Sequence, residues 1–377
     1  MEVAVVVIGP LQGTGYATRV EAMLRAYASA GWRLHLFHFK APDEHAPNEE
    51  IMLMLNGYHE LIVSKERKVK NHLAFVPPIA RMCERVQEDF ECERHYDAVQ
   101  AEGINVWPLV HRLQSSLKVL VVHDDEFTRH LRLAQRMSGY GRRLVQLITA
   151  MKYRRMQKSA IRAADEVWFV SEVEKQRLGY ITTDTVSRYV PNGADEKLFK
   201  TSLSERTKIP TAVFTGPAGA TNTRAVAWFV TTVWPHVVPT NAVLRLVGRG
   251  WEATGEARLV AEGWVDDLGV VLGSSWVFVA PLLDGAGTKL KVLEAMASGL
   301  PVVATRVAAE GIPASSGVCV TDDSRGFAQA LSVYLSDVGL ARSAGLSNRD
   351  AVKHLEWTRI WAEVIVALER KRRAAQP

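Results

Sequence analysis

The sequence predicts an α/β protein made of two Rossmann-like, doubly wound parallel-sheet domains, and three observations carry that prediction. The chain has 377 residues, enough for two domains at the usual ~100–200 residues each. Short β-rich apolar runs recur along it with helix-forming segments between them, as a parallel sheet covered on both faces requires. The series breaks at Pro191, Asn192 and Gly193, crosses the polar segment DEKLFKTSLSERTKIP, and starts again. We therefore expect one domain over residues 1–195, a second over 196–355, and a helix over 356–377 that returns to the first.

The expected strands of the first domain are VAVVVIG (3–9), RLHLFHF (33–39), DAVQA (97–101), LKVLVVH (117–123), EVWFVS (166–171) and SRYV (187–190). Those of the second are TAVFTG (211–216), VLRLVG (243–248), WVFVAPL (276–282), PVVAT (301–305) and VCVT (318–321). RVEAMLRAYASAG ends on Gly31 and KLKVLEAMASG on Gly299, with Pro301 beyond, both of which are helix stop signals. Ile360, Trp361, Val364, Ile365 and Leu368 fall at helical spacing and predict the terminal amphipathic helix.

Composition excludes several classes. Apolar residues at 47% and charged residues at 23% exclude a disordered chain. Cys83, Cys92 and Cys319 are odd in number and lack metal-ligand spacing, so neither a disulfide framework nor a zinc site is expected; they read as buried thiols in a reducing compartment. The N-terminal run carries Glu2 where a leader needs positive charge, and reads as a buried strand. No run approaches the ~18–20 apolar residues of a membrane span. The expected location is the cytoplasm or the inner face of a membrane.

The net charge of +5 is too mild to make nucleic acid an expected partner. Its distribution says more. Arg129, Arg132, Arg136, Arg142, Arg143, Lys152, Arg154, Arg155, Lys158 and Arg162 lie in a stretch without one acidic residue. Leu131, Leu133, Met137, Leu144, Leu147, Ile148 and Met151 interleave with them. Two readings stay open: an amphipathic face for an anionic membrane or a phosphate-bearing acceptor, and a solvated basic helix pair.

Open α/β sheets bind ligands at the carboxyl ends of their strands, so function is expected in strand-end loops facing a cleft between the domains. In VAPLLDGAGTKLKVLEAMASGLPVVAT, a strand ends near Pro281, a loop with Gly285 and Gly287 follows, and a helix begins near Thr288 or Lys289. Free N–H groups at that helix start suit a diphosphate, Lys289 and Lys291 add positive charge, and Glu294 can accept from a vicinal diol such as a ribose. Gly216 and Gly219 open a second such loop, ending at Arg224, which also reads as a tight turn. Arg249 ends the next strand and is a further cation. Asp266 and Asp267 read equally as a helix cap or a ligand contact. GPLQGTG, with Gly13 and Gly15, is not the dinucleotide fingerprint, which disfavours NAD. Arg19 is a phosphate-side contact or a solvated helix residue. His123 ends an apolar strand and Glu102 follows another, so both are cleft candidates, with a loop carboxylate the plain alternative for Glu102.

These strings resemble a family. DGAGTKLKVLEAMASGLPVVATRVAAEGI looks like the donor-site signature of group 1 glycosyltransferases, the retaining, family 4-like type with the GT-B fold of two Rossmann-like domains facing across a cleft. GPLQGTGYATR, VVHDDEF, VPNGADEKLF, LRLVGRG and EGWVDDL agree in order. The resemblance implies that Glu294 holds ribose hydroxyls, that Lys289 and Lys291 stand near the diphosphate, and that Gly285, Ala286, Gly287 and Thr288 contact sugar and phosphate. It places Val265, beside Trp264, against the nucleotide base, sets Gly15, Gly216, Arg224 and Arg249 on the phosphate side and Glu102 and Arg19 on the acceptor side, and has His123 hydrogen-bond the transferred sugar. The pattern departs at one point: the family's second acidic residue would fall at Ala286, and the nearest acid is Asp284.

The implied activity is transfer of a sugar from a UDP- or GDP-linked donor to a hydroxyl of a glycan, lipid-linked or small-molecule acceptor, with retention and no metal or other cofactor. The alternative is a nucleotide-sugar or polyanion-binding protein without turnover, since fold does not imply function.

Overall fold

A computed structural model describes residues 1–63, 94–181, 185–203, 206–252, 258–285 and 288–374. The chain forms two compact units, Met1–Pro191 with Ile360–Pro377, and Asn192–Arg359.

The described strands of the first unit are β1 (Glu2–Ile8), β2 (Arg33–Lys40), β3 (Gly57–Ile62), β4 (His95–Tyr96), β5 (Ala98–Glu102), β6 (Gln114–Ser115), β7 (Lys118–Val122), β8 (Glu166–Phe169) and β9 (Val186–Tyr189). Seven form a sheet in the order β3-β2-β1-β5-β7-β8-β9, while β4 and β6 pair separately. All neighbours in the large sheet run parallel. Central β1 is buried from Val3 to Val7, which explains an unbroken apolar run where a half-exposed strand would alternate.

The second unit contains β10 (Thr211–Thr215), β11 (Val243–Val247), β12 (Leu259–Gly263), β13 (Val277–Ala280), β14 (Val302–Ala304) and β15 (Val318–Val320). They form one parallel sheet, β12-β11-β10-β13-β14-β15. Strand order reverses direction between β1 and β5 in one sheet and between β10 and β13 in the other. At such switch points the connections leave to opposite faces and open a crevice at the strand ends.

Two edge strands, β3 and β12, are additions to the expected set. Each has a single sheet neighbour and one buried apolar side chain, Leu61 in β3 and Leu259 in β12, so neither shows an apolar run. The polar segment after Gly193 is no loose tether. Glu196–Phe199 is a short helix capped by Asp195, Leu198 and Leu203 are buried, and the Thr207 carbonyl accepts from Trp276 Nε1 at 2.8 Å. Each buried leucine contributes about 1.5–3 kcal/mol, which polar neighbours in the sequence conceal.

The terminal helix Trp357–Ala374 packs on the first unit. Trp361 is buried, edge-on to Tyr27 with ring centres 5.8 Å apart, and Lys371 Nζ pairs with Glu166 at 3.0 Å. Of the cysteines, Cys319 is a half-buried free thiol, less enclosed than expected, and Cys83 and Cys92 lie outside the described residues.

Candidate active site

The second unit's site forms where the β10 and β13 loops leave its sheet. Gly216 follows β10 at φ +124°, a left-handed conformation that glycine adopts without strain. Its carbonyl accepts from Trp251 Nε1 at 2.8 Å, and a side chain there would collide with Lys291, whose Nζ lies 2.7 Å from the position of a Cβ. The helix Ala220–Trp228 then begins at Gly219, and the helix Leu290–Ala297 at Lys289. Neither has a side-chain cap, whereas Asp195, Asp267, Asp323 and Asp337 cap other helices of this unit. Their leading N–H groups and positive dipole ends are left for an anion.

Lys291 and Glu294 share one side of the Leu290–Ala297 helix. Lys291 Nζ donates to Asn222 Oδ1 at 3.0 Å and sits 4.3 Å from the centre of the Phe214 ring. Burial, with the charge of Lys289, brings its amine down to about 7 against the opposing pull of Glu294. Burial likewise pushes the Glu294 carboxyl up to about 7, with Lys291 opposing and Asp195 adding. Such a pair is poised for a ligand: a diphosphate beside Lys291 favours its ammonium, and diol hydroxyls give Glu294 the donors its anion needs.

The other expected donor-side residues divide. Gly285 has φ +129°, and a Cβ on it would reach Lys289 Cε at 3.3 Å, so this loop and the lysine are neighbours. Thr288 immediately precedes the Lys289 cap. The Arg249 carbonyl accepts from Ala218 N at 2.9 Å, while its guanidinium lies over exposed Trp264, 4.8 Å from the ring centre. Val265 packs partly buried against the unit's core. Ala286 and Gly287 lie outside the described residues. Asp267 is a helix cap, its Oδ1 accepting from Gly269 N at 2.8 Å, which settles one of the two readings for that pair. Arg224, expected on the phosphate side, pairs with Asp284 at 2.7 Å while its side chain stays about half exposed. Asn222 was not anticipated. It ties Lys291 to the β10 loop, its Nδ2 donating to the Pro217 carbonyl at 2.7 Å, and only the fold brings those segments together.

The first unit holds a pocket of about 180 Å³ at its own switch point, lined among others by Tyr16, Glu102, Asn105, His123, Asp124, Glu126 and Gln157. His123 Nε2 donates to Glu102 Oε2 at 2.8 Å. Tyr16 donates to the Glu102 carbonyl at 3.1 Å and meets the imidazole edge-on, with ring centres 5.3 Å apart. Burial opposes the Glu102 carboxylate, but His123, Arg19 and Gln100 outweigh it and hold its pKa below the usual value. Glu102 is therefore a buried support behind His123, with Gln100 donating to its other oxygen. Gly15 opens the helix Gly15–Ser29, which Thr14 caps. Arg19, expected on the acceptor side, is 1% exposed. It donates to the Pro191 carbonyl at 2.9 Å, lies 4.0 Å from Glu102 and 5.2 Å from the Trp361 ring centre, and so is an internal brace. Its burial depends on Glu102, Pro191 and Trp361, all remote in sequence.

Comparison with known proteins agrees with this architecture. The family model of glycosyl transferases group 1 matches residues 209–337, which span β10 to β15 and both uncapped helices. Sucrose-phosphate synthase from Thermosynechococcus elongatus superposes with a TM-score of 0.70 at 18% identity, covering 100% of both chains. HepE of Anabaena, solved with UDP-glucose, gives 0.66 at 14% identity over 98% of this chain and 100% of its own. An uncharacterized 44.6 kDa protein in the cps region of Klebsiella pneumoniae is 22% identical over 287 residues, 71% of this chain and 72% of that protein. The fold is GT-B, and together with the match to the group 1 model over residues 209–337 it supports a glycosyltransferase. Among the described residues no helix is long and apolar enough to cross a membrane.

Proposed function

We propose that this protein transfers a sugar from a nucleoside-diphosphate sugar, UDP- or GDP-linked, to a hydroxyl of a glycan, lipid-linked or small-molecule acceptor, with retention of configuration. One observation carries the reading: two uncapped helix N-termini and Lys291 meet around the Gly216 loop, with Glu294 one turn away. HepE, of like fold, was solved with UDP-glucose, which agrees with such a donor.

The chemistry asks mainly for stabilisation of the leaving group. The diphosphate gains negative charge as the glycosidic bond breaks, and preoriented N–H groups with Lys289, Lys291 and Arg249 meet that charge without reorganising. Glu294 accepts from the ribose diol and fixes the donor. The acceptor hydroxyl attacks on the face the diphosphate leaves, and a diphosphate oxygen takes its proton, so this scheme uses no enzyme nucleophile and no metal. In the first unit His123 hydrogen-bonds a sugar hydroxyl. The outward face of the helix Tyr140–Ala163 rests on an anionic membrane surface, which makes the protein peripheral.

A nucleotide-sugar-binding protein without turnover is the second reading, favoured by the Arg224–Asp284 pair, which engages the acid nearest the sugar position the family resemblance implies. Glu294→Ala and Lys289→Ala separate the two. Each is expected to cut turnover about 10²-fold or more, the scale of losing one preoriented group, while the fold persists. Near-normal rates in both would sink the transferase assignment.

A further inference from the structure

We propose that Asn222 is a positioning residue of the donor site: its amide holds the Lys291 amine at the Gly216 loop, as the cation that meets a nucleoside diphosphate there. The proposal deepens the reading above by naming what aims that cation, and it rests on that reading for the ligand.

The β10 loop does not keep a cation of its own for this task. From Gly216 to Arg224 its one basic residue is Arg224, which pairs with Asp284 at 2.7 Å. The amine that reaches the loop belongs to Lys291, 69 residues beyond Asn222. A lysine carries its charge on a flexible four-carbon stem, so an amine that is merely nearby is not yet aimed.

Asn222 aims it through both ends of one amide. The Pro217 carbonyl can only accept and the Lys291 ammonium can only donate, so the two partners decide which end faces which. Nδ2 donates to Pro217 at 2.7 Å, and Oδ1 accepts from Lys291 Nζ at 3.0 Å. The loop closes on the same two groups: a Cβ on Gly216 would stand 2.7 Å from Lys291 Nζ and 3.0 Å from Asn222 Nδ2.

The arrangement leaves donors over at both places where a diphosphate needs them. Asn222 is the third residue of the helix Ala220–Trp228, yet its side chain, committed to Pro217 and Lys291, caps none of the leading N–H groups. Among the described residues Asn222 Oδ1 is the one hydrogen-bond acceptor of the Lys291 amine, with the Phe214 ring centre 4.3 Å away. An ammonium has three protons, so two remain for phosphate oxygens. Burial brings this amine down to about 7, and the fixed amide dipole supports the charged form that an anion recruits.

The test is a double-mutant cycle read by titration calorimetry of the full chain with UDP and with GDP. Asn222→Ala should weaken the nucleotide that binds about tenfold, the scale of one hydrogen bond to a charged group. Lys291→Met should weaken it by more than that, and adding Asn222→Ala to Lys291→Met should then cost less than about twofold, because Asn222 acts only through the lysine. Asn222→Asp keeps an acceptor for the amine but sets a negative charge beside the diphosphate, and should bind more weakly than Asn222→Ala. In turnover, Asn222→Ala should lower kcat/KM for the donor and leave the acceptor KM unchanged. Equal losses from Asn222→Ala with and without Lys291 would mean a merely structural amide and overturn the proposal. So would unchanged affinity in Asn222→Ala, wild-type affinity in Asn222→Asp, or no nucleotide bound by the wild type. Coupled nucleotide binding without any turnover leaves Asn222 in its role and removes the transferase reading; turnover with additive losses does the reverse.

Discussion

Glu294 shows how one side chain reconciles stability with function. Its carboxyl sits at about 7 in the folded chain against 4.5 when unperturbed, chiefly through burial. A raised carboxyl means that the folded state disfavours the anion. The cost is absent below pH 4.5, grows as pH rises, and is complete above about 7, where Lys291, itself brought to about 7, has largely lost its own charge. Glu294→Gln removes that cost while keeping shape. Differential scanning at pH 8 should show the variant more stable by about 1–3 kcal/mol, or roughly 2–4 °C per kcal/mol in a domain of this size, with no gain at pH 5. Equal melting temperatures at both pH values would mean that Glu294 is not held in a desolvated site. Lys289, Lys291 and Glu294 were legible because a glycine loop, a helix start and the two charges are contiguous. Asn222, Tyr16 and Gln157 were not, since each acts through a partner far along the chain. Arg19 misled for the same reason: beside a phosphate-type loop a cation reads as a ligand contact until Glu102 and Trp361 are seen to enclose it.

At the scale of elements, buried central strands announced themselves as continuous apolar runs, whereas edge strands β3 and β12 did not, because an edge needs little apolar surface. The basic segment resolved into two helices, Glu126–Arg136 and Tyr140–Ala163. Leu131, Leu133, Met137 and Leu147, expected on an outward apolar face, are partly buried. Tyr140, Leu144, Ile148 and Met151 instead form the outward stripe, at 94%, 58%, 44% and 51% exposure, opposite the buried Ala150, Tyr153, Gln157 and Ala160. An apolar stripe on an acid-free basic helix matches an anionic bilayer, which is the basis for the proposed membrane contact. Vesicles containing anionic lipid should therefore retain the protein. Changing Arg142, Arg143, Arg154 and Arg155 to Ser should lower binding by about 10²-fold or more at about 1 kcal/mol per cation. Unchanged partitioning, or none by the wild type, removes this surface from the account.

For the molecule as a whole, the two-sheet organisation was readable because the strand series stops at Pro191 and restarts at Thr211. The chain returns after Arg359 to the first unit; the apolar spacing of the terminal helix announced a buried face but not the unit that buries it. The net charge of +5 says little by itself. In the folded chain its cations divide among the basic helix, the loop lysines of the second unit and internal braces such as Arg19, while the first-unit pocket is lined by carboxylates. The most direct measurement is release of nucleoside diphosphate from a panel of UDP- and GDP-sugars incubated with the full chain and mixed glycan and lipid acceptors. The account predicts acceptor-dependent release from at least one donor and an α-linked product from an α-linked donor. Tight nucleotide binding with no release from any donor, or an inverted product, would contradict it.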